Sequence, residues 1–180
     1  MPPPLPVELQ PYSPEWAVAP AREIRRLTPV LGGNLVFIYH IGSTAVPGVS
    51  AKPILDLMPV VTDLSKLDEC RPAIEALGYE WWGEYGLTGR RYCTLDDPET
   101  ARRKVQLHCF REGTHAVHRH LAFRDYLRAR PDLAQIYDAL KARCRHRYPL
   151  DSCAYSKCKE DWIRQIEAEA MSFYQSAPRD

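Results

Sequence analysis

The stretch His40-Ile41-Gly42-Ser43-Thr44-Ala45-Val46-Pro47-Gly48-Val49-Ser50-Ala51-Lys52-Pro53-Ile54-Leu55-Asp56 decides the fold. An apolar run over 35–41 ends in Gly42-Ser43. A loop of small residues follows over 42–52, then a second apolar run over 53–61 with an aspartate inside it. This is the spelling of a strand, an anion-binding loop and a returning strand. The second run is almost wholly apolar, as an inner strand covered on both faces would be. Gly42 permits a turn with unusual φ and close approach of an anion. Ser43 and Thr44 supply hydroxyls, and Lys52 supplies a cation. Asp56 stands in an apolar strand, where a carboxylate costs free energy unless it is paired or ligates a metal. The plain alternative is an ordinary turn, with Asp56 satisfied by Lys52 or by a helix end. The loop contains neither a Gly-Lys-Ser/Thr phosphate loop nor a Gly-x-Gly-x-x-Gly dinucleotide fingerprint.

Outward from this stretch, residues 1–12 are proline-rich and read as an extended, flexible tail. A single domain is expected over 13–175. Ser13-Pro14-Glu15 starts a helix through Ile24 and Leu27, with Pro20 disturbing it early. Asp63 to Leu77 reads as a helix closed by Gly78. Tyr79–Tyr85, Arg90–Leu95 and Lys104–Phe110 read as strands. After Thr114 the period changes: Leu133, Ile136, Tyr137, Leu140 and Cys144 mark an amphipathic helix, and Tyr155, Trp162, Ile163 and Ile166 mark a last one. Strands first and helices last predict an α+β fold, a small mixed sheet packed with helices plus a helical C-terminal half.

The chain has 180 residues and a formal net charge of +1. That total hides an asymmetry: residues 111–150 carry nine Lys/Arg against four Asp/Glu. Such a basic stretch suits an anionic partner, or is simply a solvated helical face. Nucleic-acid binding through Lys141 to Arg147 is the weaker reading, because aromatic residues are not interleaved there. No apolar run reaches the roughly 18–20 residues of a membrane span, and the N-terminus does not read as a signal peptide. A cytoplasmic protein is expected, with its six cysteines (70, 93, 109, 144, 153 and 158) as free thiols. His115 and His118 share a helical face that His120 does not, and no Glu-x-x-His pattern supports a zinc site there.

The motif segment resembles the signature of the GrpB family. Tyr12-Ser13-Pro14-Glu15-Trp16, Leu77-Gly78-Tyr79, Gln106-Leu107-His108, Leu121 to Arg128, Tyr137 with Lys141, and Tyr155 with Lys157 follow the same family in order, over roughly residues 12–170. The resemblance implies a nucleotidyltransferase-like fold of the polymerase-β type, with some relatives fused to dephospho-CoA kinase, but no settled activity. Active enzymes of that superfamily place two acids one residue apart on the second strand. This chain has Ile54 and Asp56 at those positions, and Gln106 and His108 where a third acid would stand. Two-metal chemistry needs carboxylates that bridge both ions, so a single Mg²⁺ held by Asp56 and His108, or no metal, are the alternatives left.

The expected site is therefore a nucleotide or phosphorylated small molecule on Gly42, Ser43, Thr44 and Lys52. Arg90 and Arg91 would add bidentate donors and Glu84 an acid or base, unless they form only a surface salt bridge. Asp56 and His108 would carry the chemistry. His40 lies beside the loop, and Arg124 and Tyr126 either reach the ligand or staple helix to sheet. Nucleotidyl or phosphoryl transfer is one expectation. A non-catalytic binding module, motivated by Ile54, and an RNA-associated protein are the others.

Overall fold

The computed structural model describes residues 6–176. Five strands form one mixed sheet in the order β1-β2-β5-β4-β3. These are β1 (Leu35–Ile41), β2 (Leu55–Val61), β3 (Glu80–Trp81), β4 (Arg90–Asp96) and β5 (Arg103–Arg111). β1 and β2 pair antiparallel, with Ile41 opposite Asp56. β2 and β5 pair parallel, with Asp56 opposite Gln106. β4 runs antiparallel to β5, with Tyr92 opposite His108 and Thr94 opposite Gln106.

Eight helices accompany the sheet among the described residues: α1 (Glu15–Val18), α2 (Pro20–Leu31), α3 (Leu64–Glu69), α4 (Arg71–Ala76), α5 (His115–Ala129), α6 (Pro131–Arg147), α7 (Ser152–Cys158) and α8 (Glu160–Ser176). The period-2 alternation of the strands creates two apolar sheet faces. One carries Leu57, Val61, Leu107, Cys109 and Cys93, and packs against Leu27 and Leu31 of α2, Leu67 of α3 and Ile74 of α4. The other carries Ile41, Met58, Val60 and Phe110, and packs against Val117 and Leu121 of α5. β2 is thus covered on both sides, as its apolar run requires. A further core of Ala122, Tyr126, Leu127, Ala134, Tyr137, Ile166 and Ala170 joins α5, α6 and α8, and it includes Val46 and Val49 from the loop between β1 and β2. The fold is α+β, helices–sheet–helices.

Several local expectations are corrected. The helix over 63–77 is two helices meeting at Cys70, where Pro72 cannot continue the hydrogen-bond ladder. Asp63 caps the first, accepting from the N–H groups of Ser65 and Lys66. The strand expected from Tyr79 to Tyr85 is only Glu80–Trp81, because Gly83, Tyr85 and Gly86 all take positive φ. The last helix is two, α7 and α8, with Asp151 capping α7. The tail is docked rather than loose from residue 7 on: Val7 is 2% exposed, its N–H donates to Pro149 O at 2.8 Å, and Gln10 bridges Ala51 antiparallel. Residues 1–5 of that expected tail lie outside the described residues. The expectation of free thiols fails at two positions, since Cys144 of α6 and Cys158 of α7 form a disulfide. Their places in the two helices set the Cα atoms 5.9 Å apart, within bridging reach.

Candidate functional site

The β1–β2 loop begins at Gly42, whose φ is +72°. A Cβ built there would lie 2.5 Å from Asp56 Oδ2 and 3.1 Å from its Cγ. Glycine is needed twice over, for the left-handed backbone and for the approach of the carboxylate. Ser43, Thr44 and Ala45 make one turn of 3₁₀ helix. His40 Nε2 lies 2.8 Å from the buried Thr44 Oγ1, so it holds the turn from behind. Burial, with Arg128 and Arg124 nearby, outweighs the pull of Asp56 and lowers the His40 pKa to about 4.

The helical half grips this loop through its backbone. Arg128 Nε donates to Ala45 O at 2.7 Å. Ser50 N–H donates to Asp138 Oδ1 at 2.7 Å, and Lys141 Nζ donates to Ser50 O. Asp138 and Lys141, three residues apart on α6, therefore satisfy both backbone groups of one loop residue. Arg124 pairs bidentately with Asp125 and donates to His40 O at 3.1 Å, stapling α5 to β1.

Between loop, sheet and helices lies a cavity of about 200 Å³. The Gly42–Thr44 turn, Ile54, Asp56 and Gln106 line one side. Phe123, Tyr137, Lys141, Tyr155 and Lys159 line the other, and Lys52 closes the rim. Three ammonium groups thus share one cavity with one carboxylate. Lys141 is only 2% exposed. Among the described residues the one lysine in an ion pair is Lys104, with Asp97. The Lys141 ammonium lies 5.3 Å from the centre of the Tyr137 ring, and that of Lys159 4.0 Å from the Tyr155 ring, so aromatic faces provide part of what water no longer supplies. Burial lowers the Lys141 pKa to about 7, assisted by repulsion from Lys159. Burial lowers that of Lys159 to about 8, assisted by Lys52. Lys52 is shifted down by burial too, with Asp56 opposing. Tyr137 is pushed up to about 12 by burial, against a hydrogen bond with Ser43.

Asp56 has a second neighbour. His108 Nε2 lies 3.3 Å from Asp56 Oδ1, while Oδ2 faces Gly42. The carboxylate therefore joins the loop on one side to an imidazole on the other. Behind His108 the ring of Tyr92 lies at 5.3 Å and that of His120 at 6.2 Å. His120 is itself lowered to about 3 by burial and by Arg119. As metal donors, Asp56 and His108 offer one carboxylate and one imidazole. Among the described residues there is no group of three or more His, Cys, Asp or Glu side chains that would hold an ion. The residues present do not fit a two-Mg²⁺ site, which needs bridging carboxylates, nor an oxygen-rich Mg²⁺ cage.

Of the residues singled out from the sequence, Gly42, Ser43, Thr44, Lys52 and Asp56 line the cavity, while His108 and His40 stand behind that lining, in contact with Asp56 and Thr44. Besides Arg124, the staple between α5 and β1, four others lie elsewhere. Arg91 pairs bidentately with Asp68 of α3 at 2.5 and 2.7 Å, because its strand position shares the face of Cys109 and Cys93. Glu84 accepts from Gly89 N–H at 2.7 Å and orders its own turn. Arg90 donates to Tyr85 O and sits 4.9 Å from the centre of the Tyr92 ring. Tyr126 is buried in the helical core. The sequence reading missed Lys159, placed Lys141 only in a basic helix end, and assigned no role to Tyr137 and Tyr155. The signal was present, since Ala134, Tyr137, Lys141 and Cys144 form the buried stripe of α6 while Ile136 is 49% exposed. A lysine on a buried stripe is the mark of a polar site.

The family model described as GrpB protein matches residues 6–169. The UPF0157 protein YqkA of Bacillus subtilis is 36% identical over 164 residues, 91% of this chain and 47% of that protein. A dephospho-CoA kinase of Mycolicibacterium paratuberculosis is 29% identical, again over 47% of its length. The chain thus spans about half of each of these two relatives. The crystal structure of conserved protein GrpB from Enterococcus faecalis matches with a TM-score of 0.87 at 36% identity, covering 94% of this chain and all of that one. Cid1, in complex with its short product ApU, matches at a TM-score of 0.54 and 13% identity over 82% of this chain and 48% of its own, a likeness of fold. From these matches the chain belongs to the GrpB family, and its fold is nucleotidyltransferase-like.

Proposed function

We propose that the cavity binds the phosphate chain of a nucleotide or of another phosphorylated small molecule. The observation that supports this most is the gathering of Lys52, Lys141 and Lys159 around one carboxylate in a partly closed space. Buried cations without carboxylate partners are costly, and a polyanion offsets that cost. A volume of about 200 Å³ suits a phosphate chain better than a whole nucleotide, so the remainder of the ligand extends outward. The lysines donate to phosphate oxygens, and the Gly42–Ser43 turn lies against the chain on the sheet side.

Transfer of the bound group would need a base for an acceptor hydroxyl. His108 Nε2 lies 3.3 Å from Asp56 Oδ1; in the tautomer that donates there to a carboxylate, Nδ1 would be the proton-accepting nitrogen. Asp56 holds the tautomer and stabilises the imidazolium that forms. Ile54, in place of an acid, favours the second reading: binding without turnover.

Calorimetric titration of tripolyphosphate and a nucleoside triphosphate in EDTA tests the binding. Saturable binding that is lost in Lys52→Ala supports it, and absence of heat with any phosphorylated ligand sinks it. With a ligand in hand, product formation abolished in His108→Ala would favour transfer. Equal binding with no product, with or without Mg²⁺, would favour the module.

A further inference from the structure

Two of the three cavity lysines flank the disulfide: Lys141 is on α6 with Cys144, and Lys159 is the residue that follows Cys158, between α7 and α8. Lys141 stands three residues before Cys144 on α6, one turn away on the same buried stripe. Lys159 directly follows Cys158 at the end of α7, and Tyr155, whose ring lies under the Lys159 ammonium, stands three residues before Cys158. The bond spans 14 residues of sequence and ties the seven-residue α7 to α6 beside the cavity. Both line the cavity, Lys141 buried and Lys159 half-buried, and the charge of Lys159 adds to the burial that lowers Lys141 below the ordinary lysine range. A short helix carrying a cation toward another cation needs something to hold it there, and the covalent link is in place to do so.

We infer that the Cys144–Cys158 disulfide is a redox switch on the cavity, the oxidised form presenting Lys159 to the anionic ligand and the reduced form releasing it. This rests on the phosphate-binding reading above. The step is thiol–disulfide exchange with a dithiol reductant. Its thiolate attacks Sγ of the half-buried Cys158, the S–S bond breaks, and Cys144 leaves as a thiolate that takes up a proton. The second thiol of the reductant then displaces Cys158 and closes the reductant's own disulfide. Two electrons and two protons pass to the protein. The apolar cluster of Val7, Tyr155, Leu140 and Tyr148 around the cysteines stays in place, so α7 loosens and does not unfold. Cys153, exposed at the start of α7, remains a free thiol in both forms.

The test compares oxidised protein, protein reduced with a dithiol, and Cys144→Ser/Cys158→Ser, all in a Cys153→Ser background, with far-UV circular dichroism to show that each is folded. Tripolyphosphate is expected to bind about tenfold more weakly to the reduced and the serine forms. In Lys159→Gln the difference between oxidised and reduced should vanish. An independent readout is acylation of Lys159 by an amine reagent, followed by mass spectrometry, which should rise at least about threefold on reduction. Equal affinity together with equal acylation in the two states overturns the switch. If tripolyphosphate binds neither state, the phosphate reading falls, and Lys159 acylation alone decides: a rise on reduction supports the switch, and no change overturns it.

Discussion

Gly42 and Asp56 are separate letters in the sequence and one object in space. At φ +72°, with a would-be Cβ 2.5 Å from the carboxylate, Gly42→Ala must strain the backbone and displace Asp56. Denaturant unfolding should show a loss of about 1–3 kcal/mol, and phosphate-chain binding should weaken with it. The lysines give a second prediction at this scale. Their pKa values near 7 and 8 in the free protein rise when an anion binds, so binding takes up protons. The lysine contribution to tripolyphosphate affinity should fall as pH rises through 7 to 9. Calorimetry in buffers of different ionisation heat should detect the proton uptake. Stability of the unliganded protein runs the other way. Between the folded values near 7 and 8 and the unfolded value of 10.5, the unfolded chain binds more protons, so these groups make stability rise with pH across that window. A thermal-melt series that fell in step with rising pH over 7 to 9 in wild type, and not in Lys141→Met, would contradict the lowered pKa.

At the scale of elements, α6 works as a clamp. Its Asp138 and Lys141 hold the N–H and C=O of Ser50, while α5 holds Ala45 through Arg128. The loop that opens as a small-residue turn is thereby fixed by helices about 80 to 90 residues further along the chain. Asp138→Ala leaves the Ser50 N–H without its acceptor, and should cost about 1–3 kcal/mol in chemical denaturation. Because Asp138 also raises the Lys141 pKa, the same variant should shift the pH at which tripolyphosphate affinity begins to fall toward lower values. The amphipathic reading of α6 was right about the helix and imprecise about its stripe. It ran through the exposed Ile136 and passed over Lys141 as part of a basic, solvated end, because a lysine on an apolar face scores as polar surface until a cavity is known to lie beneath it. Arg143, Arg145 and Arg147 are the solvated end, all exposed.

Over the whole molecule, the sheet sets Asp56 at one edge of the cavity and the helical half brings the cations. The N-terminal segment closes the assembly, with Val7 buried beside Tyr155 and Cys144, and Gln10 exchanging hydrogen bonds of 2.8 and 2.9 Å with Ala51, next to Lys52. Removal of residues 1–10 should therefore lower stability by about 2–4 kcal/mol, from one buried valine and three backbone hydrogen bonds, and should weaken anion binding, both measurable by thermal melts with and without tripolyphosphate. Unchanged melting would show the segment to be dispensable. Read alone, the sequence already determined the strand–loop–strand unit, the α+β class and the loop side of the site, because alternation of apolar residues, Gly-Ser at a strand end and a lone aspartate in an apolar strand are local signals. It also carried the resemblance to the GrpB family. Only the tertiary structure decided that Arg91 and Glu84 serve their own loop and α3 instead of the cavity, since the face a strand residue presents depends on register. Only the tertiary structure joined Lys141 and Lys159 to Asp56 and linked Cys144 to Cys158, because these residues are brought together by helix packing over long separations, and no local pattern encodes that.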